Sequence, residues 1–261
     1  ILNGYRIDKA SAELKYIKNL GINAFEKWNY EKKWSLVKHH FENSKKYKSL
    51  FQGQLPKNWV DLPIMEKTDY QDDLSNLIST GYDLKEVYVS NTSGSSGHPF
   101  FFAKNKYAHA MTWAIIKDRF SYHGINLNSS QARFFGIPLE TTNWTKEKIK
   151  DWMGNRTRFP IFDLSDNICN SFLTKFKRKK FKYLYGYVNS LVVFAKFLLK
   201  NQILLKSICP TIKCCITTSE MLIDEDKILL REAFGVKIIN EYGVSEAVSY
   251  THLTLPTKRI V

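Results

Sequence analysis

Residues 92 to 99 read Thr-Ser-Gly-Ser-Ser-Gly-His-Pro, a run of small and polar residues between two apolar stretches. Its two glycines allow backbone conformations and close approaches that a Cβ atom would block. Its four hydroxyl groups and successive backbone N–H groups could donate hydrogen bonds to phosphate oxygens. The run is compatible with an anion cradle, but it matches neither GxxxxGK[ST] nor GxGxxG, and its spacing alone favours a plain loop. A flexible turn is the competing interpretation.

A second candidate stretch, Asn-Glu-Tyr-Gly-Val-Ser-Glu, covers residues 240 to 246. Its last carboxylate, Glu246, could ligate Mg²⁺, which takes one or two carboxylates together with phosphate oxygens. Tyr242 could stack on a purine, and Ser245 could donate a hydrogen bond to a phosphate. The alternative is a turn at Gly243 followed by an ordinary helix with Ser245 as its N-cap. This stretch alone leaves both interpretations open.

The elements that must position these stretches form an α/β pattern. Apolar runs of strand length alternate with helical stretches from about residue 84 onward, which is typical of a mostly parallel sheet. We place strands at residues 86–90, 132–137, 182–186, 212–218 and 236–240. Before them, residues 10–50 predict two or three helices with a break at Gly21.

Three segments follow from this pattern. Residues 1–84 form a helical region and a connector, and residues 85–247 form the α/β core. Residues 248–261 resemble a translated adapter and are expected not to be native to the gene. Because the chain also lacks an initiator Met, we expect a fragment of a longer protein.

The clearest unit of the core is a strand, a helix and a strand. Between the strands 212–218 and 236–240, Asp224 is predicted to cap a helix that ends at Gly235. Such a crossover makes the two strands parallel. In open α/β sheets ligands bind beyond the carboxyl ends of the strands, so the residues that follow each strand are expected to form the site.

Three motifs in a fixed order carry a resemblance to a known family. "TSGSSGHP", then "TTSEML" at 217–222, then "NEYGVSEA" at 240–247 resemble the adenylate-forming superfamily. Within it they are most similar to the phenylacetate-coenzyme A ligase and CapK-like capsular polysaccharide biosynthesis branch. "LPIMEKTDYQDD" and "YGYVNSLVVFAKFL" support the same branch, and the resemblance spans about residues 55 to 247.

The resemblance implies a role for each matching residue. The loop for the β- and γ-phosphates of ATP would be Thr92, Ser93, Gly94, Ser95, Ser96 and Gly97. The adenine side would be formed by Ser219, Glu220, Asn240, Glu241, Tyr242 and Gly243. The catalytic pair would be Ser245, at the α-phosphate, and Glu246, which is associated with Mg²⁺. The acyl pocket would lie near Gly186 and Tyr187.

The resemblance also implies a reaction. A carboxylate oxygen attacks the α-phosphorus of ATP to give an acyl adenylate and pyrophosphate, and the acyl group then passes to coenzyme A. Two departures from the family pattern are visible: Phe100 follows Pro99 where a lysine is common, and the chain stops before the family's C-terminal domain. The chain alone is therefore expected to be inactive, while its full-length parent would be a ligase.

Composition leaves two alternatives open. The net charge of +14 and the basic run at 175–183 are compatible with a nucleic-acid-binding module, although a solvated helix end is the interpretation we favour. A non-catalytic nucleotide-binding member of the family is the other alternative.

The four cysteines show neither disulfide nor zinc spacing, and Cys214 and Cys215 are expected to be buried on opposite faces of a strand. With no signal peptide and no membrane span, we expect a cytoplasmic protein.

Overall fold

The computed structural model describes residues 4–51, 53–92, 99–136, 144–243 and 249–251. The chain divides into two compact units. The first contains Ile1–Ile115 and Ser245–Val248, and the second contains Ile116–Val244 and Ser249–Val261. The division falls within one helix, α5 (Lys106–Ser121).

The first unit is mainly helical. Its elements are α1 (Ile7–Lys18), α2 (Ile22–Asn43), α3 (Lys45–Lys48), 3₁₀ turns at Trp59–Asp61 and Lys67–Tyr70, α4 (Leu74–Leu77), β1 (Tyr88–Asn91), β2 (Phe101–Lys104) and the first part of α5 (Lys106–Ser121). Gly21 is the extended N-cap of α2, which confirms the predicted break. Small residues let α1 pack closely on α5, where Ala10 meets Ala110 and Ala114.

The second unit is a sheet with helices, which confirms the predicted α/β class. Its strands are β3 (Gln131–Phe134), β4 (Arg156–Phe159), β5 (Tyr183–Tyr187), β6 (Cys214–Thr218), β7 (Lys237–Gly243) and β8 (Ser249–Thr251). Its helices are α6 (Trp144–Met153), α7 (Asp166–Arg178), α8 (Val188–Lys200), α9 (Leu205–Ile208) and α10 (Asp224–Phe234). Across the described residues the strand order is β4-β3-β5-β6-β7-β8, with β3 to β7 parallel and β8 antiparallel to β7.

The two faces of this sheet bury different cores. One face packs on α7, α8 and α10 around a cluster of phenylalanine rings that includes Phe134, Phe159 and Phe194. The opposite face carries a smaller cluster. Cys215 belongs to the first core and Cys214 to the second, so the prediction that the pair is buried on opposite faces is confirmed.

Three local expectations differ from the structure. The run 86–90 is not a strand of the parallel sheet, because β1 pairs antiparallel with β2 in a separate hairpin. Strand β4 was not predicted, because its sequence Arg-Thr-Arg-Phe lacks an apolar run. Asp224 is the first helical residue of α10 and Ile223 is the N-cap, whereas Gly235 ends the helix with a φ of 67°, as predicted.

The basic run at 175–183 is a helix end followed by a strand, as favoured above. Helix α7 ends at Arg178, and the ammonium group of Lys179 donates a hydrogen bond to the hydroxyl of Thr157 at 2.9 Å. Among the described residues, no helix is both long and apolar enough to cross a membrane.

Candidate functional site

Several of the predicted site residues meet at the carboxyl edge of the parallel strands. Strand register places Tyr187, Thr218 and Glu241 side by side in one row across β5, β6 and β7. The predicted residues that lie at or just beyond this edge are Gly186, Tyr187, Ser219, Glu220, Asn240, Glu241, Tyr242 and Gly243. This is the edge at which open α/β sheets bind ligands.

Glu241 is held by a tyrosine from the neighbouring part of the sheet. Its side chain is 9% exposed, and Oε1 accepts a hydrogen bond from the hydroxyl of Tyr185 at 2.9 Å. Burial, and then the charge of Glu241, raise the pKa of Tyr185 far above its ordinary value. The phenol therefore remains a proton donor, and the carboxylate has a fixed partner inside the protein.

Glu220, which follows β6, caps the N-terminus of helix α8. Its Oε2 accepts a hydrogen bond from the backbone N–H of Asn189 at 2.7 Å, in the first turn of α8. No side chain at the N-cap position of α8 provides such a bond. A carboxylate is favourable here because the N-terminus of a helix carries partial positive charge and unpaired N–H groups.

Two residues of the edge have backbone constraints of their own. A Cβ atom on Gly186 would lie 2.5 Å from Cβ of Phe134 and 2.6 Å from its carbonyl oxygen, so glycine is required for the approach of β5 to β3. Ser219 has a φ of 67°, a left-handed conformation that is strained for a residue with a side chain. The chain thus turns sharply where β6 ends.

The remaining residues of the edge face solvent to different degrees. Asn240 is half-buried, Gly243 is exposed, and Tyr242 is 67% exposed. An exposed aromatic ring at a strand end offers a flat surface on which another planar ring could stack.

The predicted phosphate loop is described only at its first residue. Thr92 belongs to the first unit, where its backbone N–H donates to the carbonyl of Phe100 at 2.9 Å. Its hydroxyl accepts from the N–H of Phe100 at 3.0 Å, which extends the β1–β2 hairpin. The predicted positions Ser93, Gly94, Ser95, Ser96, Gly97, Ser245 and Glu246 lie outside the described residues.

Metal binding was predicted through Glu246. Within the residues that the structure describes, no group of three or more His, Cys, Asp and Glu side chains is placed to hold a metal ion. The magnesium role of Glu246 therefore stays a prediction.

Comparison with known proteins identifies the fold. No protein-family model and no curated protein matches the chain. The crystal structure of 2-hydroxyisobutyryl-CoA ligase in an open conformation, with 2-HIB-AMP and CoA, matches 86% of this chain and 55% of the ligase chain, with a TM-score of 0.55 and 15% identity. The same ligase in the postadenylation state with R3-HIB-AMP matches 81% and 46%, with a TM-score of 0.54 and 16% identity. The chain shares the fold of these CoA ligase structures. It spans about half the length of these ligase chains.

One group of residues beside this edge was not predicted from the sequence. Arg133 on β3 and Phe135, one residue beyond the end of β3, lie on the same side of the sheet as Tyr185 and Tyr187 of β5. The guanidinium of Arg133 lies 4.6 Å from the ring centroid of Phe135, and that ring lies 4.6 Å from the ring of Tyr187. The available signal was the two-residue spacing of Arg133 and Phe135 inside the predicted strand 132–137, which places the two side chains on one face.

Proposed function

We propose that the protein binds ATP with Mg²⁺ and activates a carboxylic acid as an acyl adenylate, with coenzyme A as the acceptor of the acyl group. The observation that carries this proposal is the meeting of the segments 186–187, 219–220 and 240–243 at the carboxyl edge of a ligase-fold sheet. The order of the three motifs favours the phenylacetate-coenzyme A ligase and CapK-like branch. Four buried free thiols support a reducing, cytoplasmic compartment.

In the proposed reaction one carboxylate oxygen bonds to the α-phosphorus while the bond to the bridging oxygen of pyrophosphate breaks. Negative charge builds on the phosphate oxygens and on the leaving pyrophosphate. The protein must therefore position the reacting groups and neutralise this charge. The loop Thr92–Gly97 would donate to the β- and γ-phosphates and Ser245 to the α-phosphate. Mg²⁺, held through Glu246, would supply positive charge at the phosphates. The exposed ring of Tyr242 would stack on adenine.

The second step transfers the acyl group. The thiol of coenzyme A would lose its proton to solvent and its sulfur would attack the acyl carbon, and AMP would leave with the electrons of the broken bond between the acyl carbon and the phosphate oxygen. The buried pair of Tyr185 and Glu241 would keep the end of β7 in place through both steps.

Carboxylate-dependent exchange of labelled pyrophosphate into ATP by the full-length protein tests the first step, together with equilibrium dialysis of ATP. Glu246→Gln should lower exchange by about 100-fold, the size of effect seen when one group that stabilises a charged transition state is lost. Glu232→Gln removes an exposed carboxylate of α10 and should leave exchange unchanged. Equal exchange by both variants would contradict the assignment of Glu246.

These assays, together with oligonucleotide binding, distinguish the proposed function from its two alternatives. ATP binding without exchange for any acid would favour the non-catalytic nucleotide-binding member. Salt-dependent binding of an oligonucleotide, lost when Lys177 and Arg178 are neutralised, would favour the basic module. That alternative has less support because Lys179, in the same run, is hydrogen-bonded to Thr157.

A further inference from the structure

An arginine and three aromatic rings form one cluster beside the carboxyl edge of the sheet. We define the Arg133 cluster as Arg133, Phe135, Tyr185 and Tyr187. The guanidinium lies 4.6 Å from the ring centroid of Phe135, and this ring is 5.2 Å from Tyr185 and 4.6 Å from Tyr187. The cluster therefore combines a cation with a flat apolar surface.

The cation of the cluster has an unused donor. Nε of Arg133 is buried, and within the described part of the chain it has no hydrogen-bond partner. An arginine carries five N–H donors and cannot become neutral to escape burial, so an unpaired buried donor is costly. Because Nε has almost no exposed surface, an acceptor must enter the cluster itself to remove that cost.

The surroundings of Arg133 carry an excess of positive charge. Burial, and next the charge of Arg156, lower the pKa of Arg133, Tyr185 raises it, and Arg158 lowers it again. Among the described groups that act on Arg133, the one carboxylate is Asp151, and it already pairs with Arg158 through Nε and, at 3.2 Å, through Nη2. The local field thus favours an anion.

The position of Arg133 fixes which part of a substrate could reach it. Arg133 is in register with Tyr185. Tyr185 precedes Tyr187 by two residues, so Arg133 lies two residues further from the carboxyl edge than the row of Tyr187, Thr218 and Glu241. Two residues along a strand span about 7 Å. A substrate whose reacting carboxylate lies at the edge would therefore present the far end of its tail to Arg133.

We propose that the Arg133 cluster binds the acyl tail of the substrate, and that this tail ends in a second carboxylate. The substrate is then a short dicarboxylic acid, whose chain packs on Phe135 and Tyr187 while its distal carboxylate pairs with the guanidinium. An aryl tail would stack on the rings but would leave Nε of Arg133 without an acceptor. The two oxygens of a carboxylate match the paired N–H donors of the guanidinium. This inference rests on the proposed function.

The test uses stable mimics of acyl adenylates, the 5′-O-(N-acylsulfamoyl)adenosines, with binding measured by calorimetry. Three probes differ only in the acyl group: glutaryl, the corresponding terminal amide, and phenylacetyl. The glutaryl probe should bind about 10- to 100-fold more tightly than the amide, the range expected for hydrogen bonds to a charged group. Arg133→Gln should abolish this preference and Arg133→Lys should retain part of it, while AMP binds equally to all variants.

Arg231→Gln is the matched control, because it removes an exposed arginine of α10. It should keep the full preference for the glutaryl probe. A wild-type protein that binds the phenylacetyl probe most tightly, or an Arg133→Gln variant with an unchanged preference, overturns the inference and leaves the proposed function standing. If neither AMP nor any of the three probes binds, the proposed function fails and the inference fails with it.

Discussion

The replacement of Gly186 by alanine tests the strand packing beneath the candidate site. Gly186 is paired in register with Phe134 of β3. The added Cβ would lie 2.5 Å from Cβ of Phe134 and 2.6 Å from its carbonyl oxygen. The oxygen belongs to the backbone, so no change of side-chain rotamer relieves the contact. Strands β3 and β5 must therefore move apart at their carboxyl ends, where they pair next to the candidate site.

The cost follows from this geometry. Overpacking of a filled interior costs about 1 to 3 kcal/mol, and a contact with backbone belongs at the upper end, so we expect about 3 kcal/mol. With a urea dependence of about 3 kcal/mol/M, suited to a chain of this size, the unfolding midpoint should fall by about 1 M.

The four cysteines provide the assay. Cys169, Cys209, Cys214 and Cys215 are all buried and all lie in the second unit, so pulsed alkylation against urea concentration reports the unfolding of that unit. Gly21→Ala is the control, because a Cβ at Gly21 would meet no atom within 4 Å and the residue lies in the first unit. A Gly186→Ala midpoint equal to that of the control would refute the steric argument.

Three further outcomes are expected. Glu220→Ala should lower the free energy of unfolding by about 1 kcal/mol through loss of the α8 cap, and Glu220→Gln should lower it less; equal urea midpoints for wild type and Glu220→Ala would contradict the capping role. Burial raises the pKa values of Cys214 and Tyr183 to about 12. Because the unfolded chain loses these protons first, urea midpoints should fall as pH rises from 9 towards 12, and a flat profile would argue against burial of these groups. Ser219→Gly should raise the free energy of unfolding by up to about 1 kcal/mol by relieving the positive φ, and a lower midpoint would count against strain at this position.

The parts of the fold that the sequence predicts are those governed by local pattern. Strand β6 is buried along its whole length, and β7 is buried at the apolar pair Ile238 and Ile239, so each shows a short apolar run in the sequence. Gly235 marks the end of α10 because its left-handed conformation favours glycine. With these two features the direction of the sheet, and hence the position of the candidate edge, follows.

Features that depend on distant partners were not predictable in this way. The run 86–90 has the composition of a strand, but its pairing with β2 depends on a second run beyond the loop. Strand β4 is stabilised by pairing with β3, although its sequence alternates arginine with other residues. The contact of Glu220 with the first turn of α8 joins positions 31 residues apart, which no local spacing indicates.

These distant contacts change the electrostatic interpretation of the candidate site. The proposed function would bring Glu220, Glu241 and Glu246 near a polyanionic nucleotide, which three unpaired carboxylates would repel. In the structure Glu220 is bound to the positive end of α8 and Glu241 to the hydroxyl of Tyr185. Two of the three charges are therefore offset within the protein, and Glu246 is the carboxylate assigned to the metal. It follows that neutralising Glu220 or Glu241 should weaken folding more than nucleotide affinity, whereas neutralising Glu246 should do the reverse.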